Sequence, residues 1–157
     1  MLNINSILGN IFKDTSLECA NLEKLIISRI DLEKRILRKK TNLGTDIGIN
    51  LNSSTKLQHG DIIGNDKTKI IVEQMPEKVI SVKLKENDEK IAILLGHIIG
   101  NRHRPIAIKD KMILFPIQED SELDIFQRLL KEIIDHIELK IEEEIFLPHT
   151  SADVHEH

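Results

Sequence analysis

The stretch MPEKVISVKLKENDEKIAILLGHIIGN, residues 75–101, decides the fold, because its rhythm changes three times. Pro76 cannot donate to a strand ladder and holds Met75 in an extended conformation, so Met75-Pro76-Glu77 marks a boundary. Val79 to Leu84 then alternates as a strand. After it Asn87 is placed to cap a helix that carries Ile91, Leu94, Leu95 and Ile98 on one face, and Gly100 and Asn101 are residue types that end helices.

Working toward the C-terminus, Pro105 to Ile108 and Met112 to Ile117 form a strand pair. Ser121-x-x-Asp124 is a capping-box variant opening a second helix, striped by Phe126, Leu129, Leu130, Ile133, Ile134 and Ile137. Leu139 to Leu147 is a last strand. The order β-α-β-β-α-β over residues 77–147 is the split βαβ, ferredoxin-like arrangement, with both helices on one face of an antiparallel sheet. Beyond Pro148 the chain turns polar, and residues 148–157 are expected to form a mobile tail.

Working toward the N-terminus, residues 1–76 carry short β-branched runs punctuated by Gly, Asn and Asp: Asn5 to Ile11, Lys24 to Ile30, Leu32 to Thr41, Ile47 to Leu51 and Thr68 to Glu73. They predict a small β-domain. Thr41 to Asp46 has the residue types of a hairpin turn, and Gln58-His59-Gly60-Asp61 those of another. The fold class is therefore α+β: a β-domain, a ferredoxin-like domain and a His-bearing tail. No internal repeat is present.

Composition narrows function. The 157 residues are 40% hydrophobic, 31% charged and 3% aromatic, a soluble globular composition within the range of one ordinary domain or two small ones. A net charge of −4 and four Phe give little reason to approach a phosphate backbone or to stack bases, so nucleic acid is a poor partner. The longest apolar run, Ile91 to Ile99, includes His97 and falls far short of the roughly 20 residues that span a bilayer. Neither a membrane segment nor a signal peptide is expected. A lone Cys19 suits a reducing compartment, and the expected location is the cytoplasm.

Histidine carries the chemistry. Three of seven, His149, His155 and His157, fall in the last nine residues. Neutral imidazole is a good ligand for Ni, Zn and Cu, and His155-x-His157 can place two rings on one ion. A tag-like or chance His-rich end is the bland alternative. His103, in Gly100-Asn101-Arg102-His103 where the helix should end, reads either as a surface loop residue or as a ligand, and spacing alone does not decide. His97 reads as a half-buried, hydrogen-bonded residue beside the apolar stripe; His59 and His136 read as turn and helix-surface residues. The basic run Lys34, Arg35, Arg38, Lys39, Lys40 is a solvated strand face or, more sharply, a docking surface for an acidic partner. Gly-x-Ser-x-Gly, Walker and His-Glu-x-x-His motifs are missing, so nothing supports a nucleophile or a phosphate cradle.

Together these stretches resemble the UreE family of urease accessory proteins over nearly the whole chain. The matching features are Lys34 to Ile47, the Leu-x-x-Gly-Asp turn at Leu57 to Asp61, the signature Ile99-Gly100-Asn101-Arg102-His103, and the variable His-bearing end. The resemblance implies a non-enzymatic nickel metallochaperone: a homodimer built through the ferredoxin-like domains, with His103 of both protomers sharing a metal. His149, His155 and His157 are additional candidate ligands. The general affinity order of divalent ions at N/O sites adds that Zn²⁺ and Cu²⁺ should also bind. The resemblance further implies that the partners are the urease apoprotein and accessory proteins including the UreG-type GTPase, and that residues 1–76 contact partner proteins. Two departures stand out. Ile117-Gln118-Glu119-Asp120 lies where some members carry a further His-x-His, and His97 is one residue farther from the signature than the helix histidine of some relatives. The competing readings are a non-catalytic protein-binding module with a structural His103, and a metal hydrolase, which lacks a carboxylate base beside a fixed metal.

Overall fold

The structure is a computed structural model and describes residues 1–14, 16–17 and 22–149. The fold is α+β and divides into two compact units, Met1–Met75 and the chain from Pro76 onward.

The first unit holds two small sheets over one core. Strands β1 (Leu2–Ile4), β4 (Ile36–Lys40) and β5 (Asp46–Asn50) form a three-stranded sheet in the order β1-β5-β4. Strands β2 (Gly9–Asn10), β3 (Glu23–Ile27), β6 (Asp61–Gly64) and β7 (Lys69–Gln74) form a four-stranded sheet in the order β2-β6-β7-β3. The inward side chains Ile4, Ile47 and Ile49 of one sheet and Leu25, Ile27, Ile63, Ile70 and Val72 of the other belong to one buried cluster. Alternation along β5, where Ile47 and Ile49 are buried while Gly48 and Asn50 are not, is the period of two that a half-buried strand requires.

Several sequence expectations change here. The run Lys24 to Ile30 does not stay extended: Ser28 accepts a hydrogen bond from the Asp31 N–H and caps a one-turn helix, α1 (Arg29–Leu32). That local cap outcompetes β propensity, so the strand expected from Leu32 starts only at Ile36. Asn5 to Ile11 is broken, leaving β1 to run parallel to β5 and β2 to pair with β6. The Thr41–Asp46 hairpin is present, with Gly44 at φ 85° and the Thr41 N–H donating to the Thr45 carbonyl. Gln58–Asp61 is a tight turn with Gly60 at φ 88°, but it joins strands of different sheets. The second hairpin is β6–β7, closed by Asn65, whose Oδ1 accepts from the N–H groups of Lys67 and Thr68. The basic run is largely paired: Asp31 takes both Lys34 and Lys39, and Arg38 is bidentate on Asp46. Hydrogen bonds from Lys34 and Lys39 bring the Asp31 carboxyl down to about 2.

The second unit is organised by β8 (Glu77–Leu84), which starts directly after Pro76. Val79, Ile80, Ser81 and Val82 are all buried, as an interior strand covered on both faces demands. Its neighbours are β10 (Met112–Pro116) and β11 (Ile137–Glu144), both antiparallel to it; with β9 (Ala107–Lys109) the sheet order is β11-β8-β10-β9. Against Ile80 and Val82 pack α2 (Glu89–Gly100), through Ile91, Leu95 and Ile99, and α3 (Glu122–Leu129), through Phe126. The opposite face is closed by the chain after β11, which seats Phe146 with Val79 and Leu114.

The caps differ from expectation. Asp88, not Asn87, caps α2, its carboxylate accepting from the Lys90 and Ile91 N–H groups; Asn87 accepts from Lys111. Ser121 makes no capping hydrogen bond from its side chain. After Leu129 the helix tightens into a 3-10 segment, Lys131–His136, so Ile137 begins a strand instead of ending a stripe. That strand ends at Glu144, three residues before the expected Leu147.

Candidate metal-binding corner

The corner is made by the end of α2 and the loop that follows it. Gly100 remains within the helix and Asn101 is its C-cap with ordinary right-handed angles, so neither takes the left-handed conformation that often ends helices. That conformation falls on His103, at φ 53°, one of two non-glycine residues of positive φ among those described. Three backbone bonds wind the chain up to it: Asn101 N–H to His97 O, Arg102 N–H to Ile99 O, and His103 N–H to Gly100 O. The His103 side chain is exposed.

The next residue is fastened inward. Arg104 donates through Nη1 to the Pro116 carbonyl at 3.0 Å and through Nη2 to Glu122, and its guanidinium lies 5.3 Å from the centre of the Phe126 ring. Glu122 also accepts from the Gln118 N–H at 2.6 Å and from the Glu119 N–H. Burial opposes its charge, but the Gln118 N–H, the Arg104 guanidinium and the Glu119 N–H outweigh burial and hold the carboxyl below its usual range. Sequence reading stopped at His103 and missed this pair. The only local sign is an arginine held between the histidine and Pro105, because Glu122 is 18 residues away.

The remaining histidines separate by environment. His97 is exposed, not half-buried as expected, with Nε2 3.4 Å from the Asn101 amide nitrogen. His59 is more than a turn residue: it is half-buried, accepts the Gln74 N–H on Nδ1 at 3.1 Å and stacks against Phe12. His136 is half-buried in the 3-10 segment. His149 is exposed, and its N–H donates to the Ile106 carbonyl at 2.7 Å, which returns the chain after β11 to the loop carrying His103. His155 and His157 lie outside the described residues. Among the described residues, no group of three or more His, Cys, Asp or Glu is arranged to hold a metal ion, and no helix is long and apolar enough to cross a membrane.

Over 146 residues the chain is 30% identical to the urease accessory protein UreE of Streptococcus vestibularis, covering 92% of this chain and 93% of that protein. The chain belongs to the UreE family. A family model described as the UreE urease accessory protein N-terminal domain matches residues 4–74. The UreE of Staphylococcus saprophyticus is 35% identical over 133 residues, 83% of each chain, and that of Geobacillus kaustophilus is 34% identical over 115 residues. The alignment with the Streptococcus protein spans nearly the full length of both chains, so membership does not rest on the first unit alone.

Proposed function

We propose that the chain is a nickel metallochaperone for urease maturation, in which His103 from two protomers forms the core of a nickel site and His149, His155 and His157 add ligands. The observation that carries this reading is His103 itself: an exposed imidazole raised on a left-handed corner at the end of α2, within a stretch that resembles the family signature. One imidazole is one donor, and a divalent ion needs several, so a second copy and the His-bearing end are the natural sources. On α2, the exposed residues Ile93, Gly96, His97 and Gly100 share one face at helical spacing, and nothing lies within 4 Å of a Cβ built at either glycine. Such a face admits a second helix at close range, which favours a symmetric dimer through this unit. The sheet order of that unit supports a ferredoxin-like domain, and the hydrogen bond from His149 to Ile106 favours a tail that starts near the site.

In this reading the nickel is cargo. Holding it on few protein ligands keeps it exchangeable for the urease apoprotein and for accessory proteins such as a UreG-type GTPase, with residues 1–76 contributing partner contacts in the cytoplasm. The protein is not itself an enzyme. Zn²⁺ and Cu²⁺ compete, since Cu²⁺ outranks Ni²⁺ at most N/O sites and selectivity must come from geometry and from the receiving partner.

Calorimetric titration with Ni²⁺, run beside a sizing measurement, tests the reading. It should give one tight nickel per two chains. Imidazole ligates only when neutral and its ordinary pKa is about 6.5, so affinity should fall as pH drops from about 7 to 5. A curve flat until below about pH 5 would rule out histidine as the main ligand. Deleting Pro148 to His157 should keep one nickel per dimer, weaken it and remove looser sites; a truncated protein that binds none would move the primary site into the tail.

A further inference from the structure

We propose that Arg104 is a positioning residue for nickel: latched to Pro116, Glu122 and Phe126, it holds His103 in its left-handed conformation and so aims the imidazole. This rests on His103 being a nickel ligand. A histidine at φ 53° occupies a conformation that side-chain-bearing residues adopt rarely and keep only when their surroundings over-determine it. The surroundings do so from both sides. Before His103, three consecutive N–H groups are tied to helix carbonyls. After it, the Arg104 fork grips the end of β10 and the first turn of α3 at once, while the N–H groups of Gln118 and Glu119 fix the Glu122 carboxylate that it grips. The Arg104 side chain is about two-thirds covered and that of Glu122 more so, which makes the latch firmer than an exposed ion pair. A planar fork over an aromatic ring is also something lysine cannot reproduce. Neither Arg104 nor Glu122 is needed as a ligand. Their effect is to remove rotational freedom from the loop before the metal arrives, so that less is lost on binding.

The test is nickel titration of Arg104→Ala and Arg104→Met, each in the parent chain and in His103→Ala. Arg104→Met keeps an apolar stem over Phe126 and removes only the fork, which guards against a variant that merely packs badly. In the parent chain both should bind nickel about ten-fold more weakly, at the lower end of what loss of an outer-shell partner costs. Metal-free Arg104→Met should remain folded, its melting curve only modestly below that of the parent because the pair to Glu122 and the bond to Pro116 are lost. In the His103→Ala background neither substitution should weaken the residual binding further. Parental affinity in Arg104→Met, or an equal loss in both backgrounds, overturns the proposal. The two readings fail differently. If His103→Ala leaves binding intact, the assignment of His103 falls and the latch with it; if His103→Ala removes the tight site while Arg104→Met matches the parent, the latch alone falls.

Discussion

His103→Ala is expected to abolish the tight nickel site while leaving the metal-free protein as stable as before. The imidazole is exposed, so the stability change should stay within about 0.5 kcal/mol, the range of ordinary surface substitutions. The metal loses far more. In the proposed dimer, where two protomers share the metal, one substitution removes a donor from each, and even partners outside the first shell are worth about 10–100-fold in affinity, so the loss should exceed roughly 100-fold. Titration of the variant beside a thermal melt of its apo form separates the two outcomes. A variant whose apo form unfolds readily would make His103 a structural residue, and if it still binds nickel the ligands lie elsewhere.

The largest stability effect should come from a position with no part in metal binding. Gly64 ends β6 at φ 119°, and a Cβ there would lie 2.0 Å from the Thr68 carbonyl oxygen and 3.1 Å from its carbon. Those are backbone atoms of the hairpin, tied by the Asn65 N–H to Thr68 O bond, so they cannot rotate away as a side chain would. Gly64→Ala therefore combines a backbone conformation closed to other residues with overpacking, each costing about 1–3 kcal/mol. Of a typical stability of about 5–15 kcal/mol this is a large share. For a unit of this size it should lower the melting transition of Met1–Met75 by on the order of 15 °C. A shift of only a degree or two would show that the β6–β7 turn can be rebuilt around a side chain.

Much of this architecture was legible because its determinants are local. Pro76 and the alternation after it place β8, the apolar spacing from Ile91 to Ile99 places α2, and Thr41 to Asp46 announces a hairpin by residue type. The errors fall where two local signals compete or where the deciding partner is remote. Ile26-Ile27-Ser28-Arg29-Ile30 looks extended until the Ser28 cap is seen to bend it. Gly64-Asn65-Asp66 carries the residue types of a hairpin turn, but β6 before it is only four residues long and too short to show a period of two. At the corner the family resemblance pointed to His103, but nothing local says that the positive φ falls there and not on Gly100. The Arg104–Glu122 pair closes a loop across 18 residues and leaves no periodic trace.

The sheet order of the second unit also sets a timetable for synthesis. β8 is the first of its strands to leave the ribosome, yet one of its two neighbours, β11, is the last: Leu84 pairs with Ile137 and Glu77 with Glu144. Val79 to Val82 must therefore wait, with the β11 edge bare and the Val79 face lacking Phe146, until nearly the whole unit has emerged. The sheets of the first unit can close long before that, since their pairings end at Gln74. A nascent chain that has emerged only as far as residues 85–111 thus displays a finished β-unit followed by a sticky, unpaired strand, and the half that carries His103 is the last to mature.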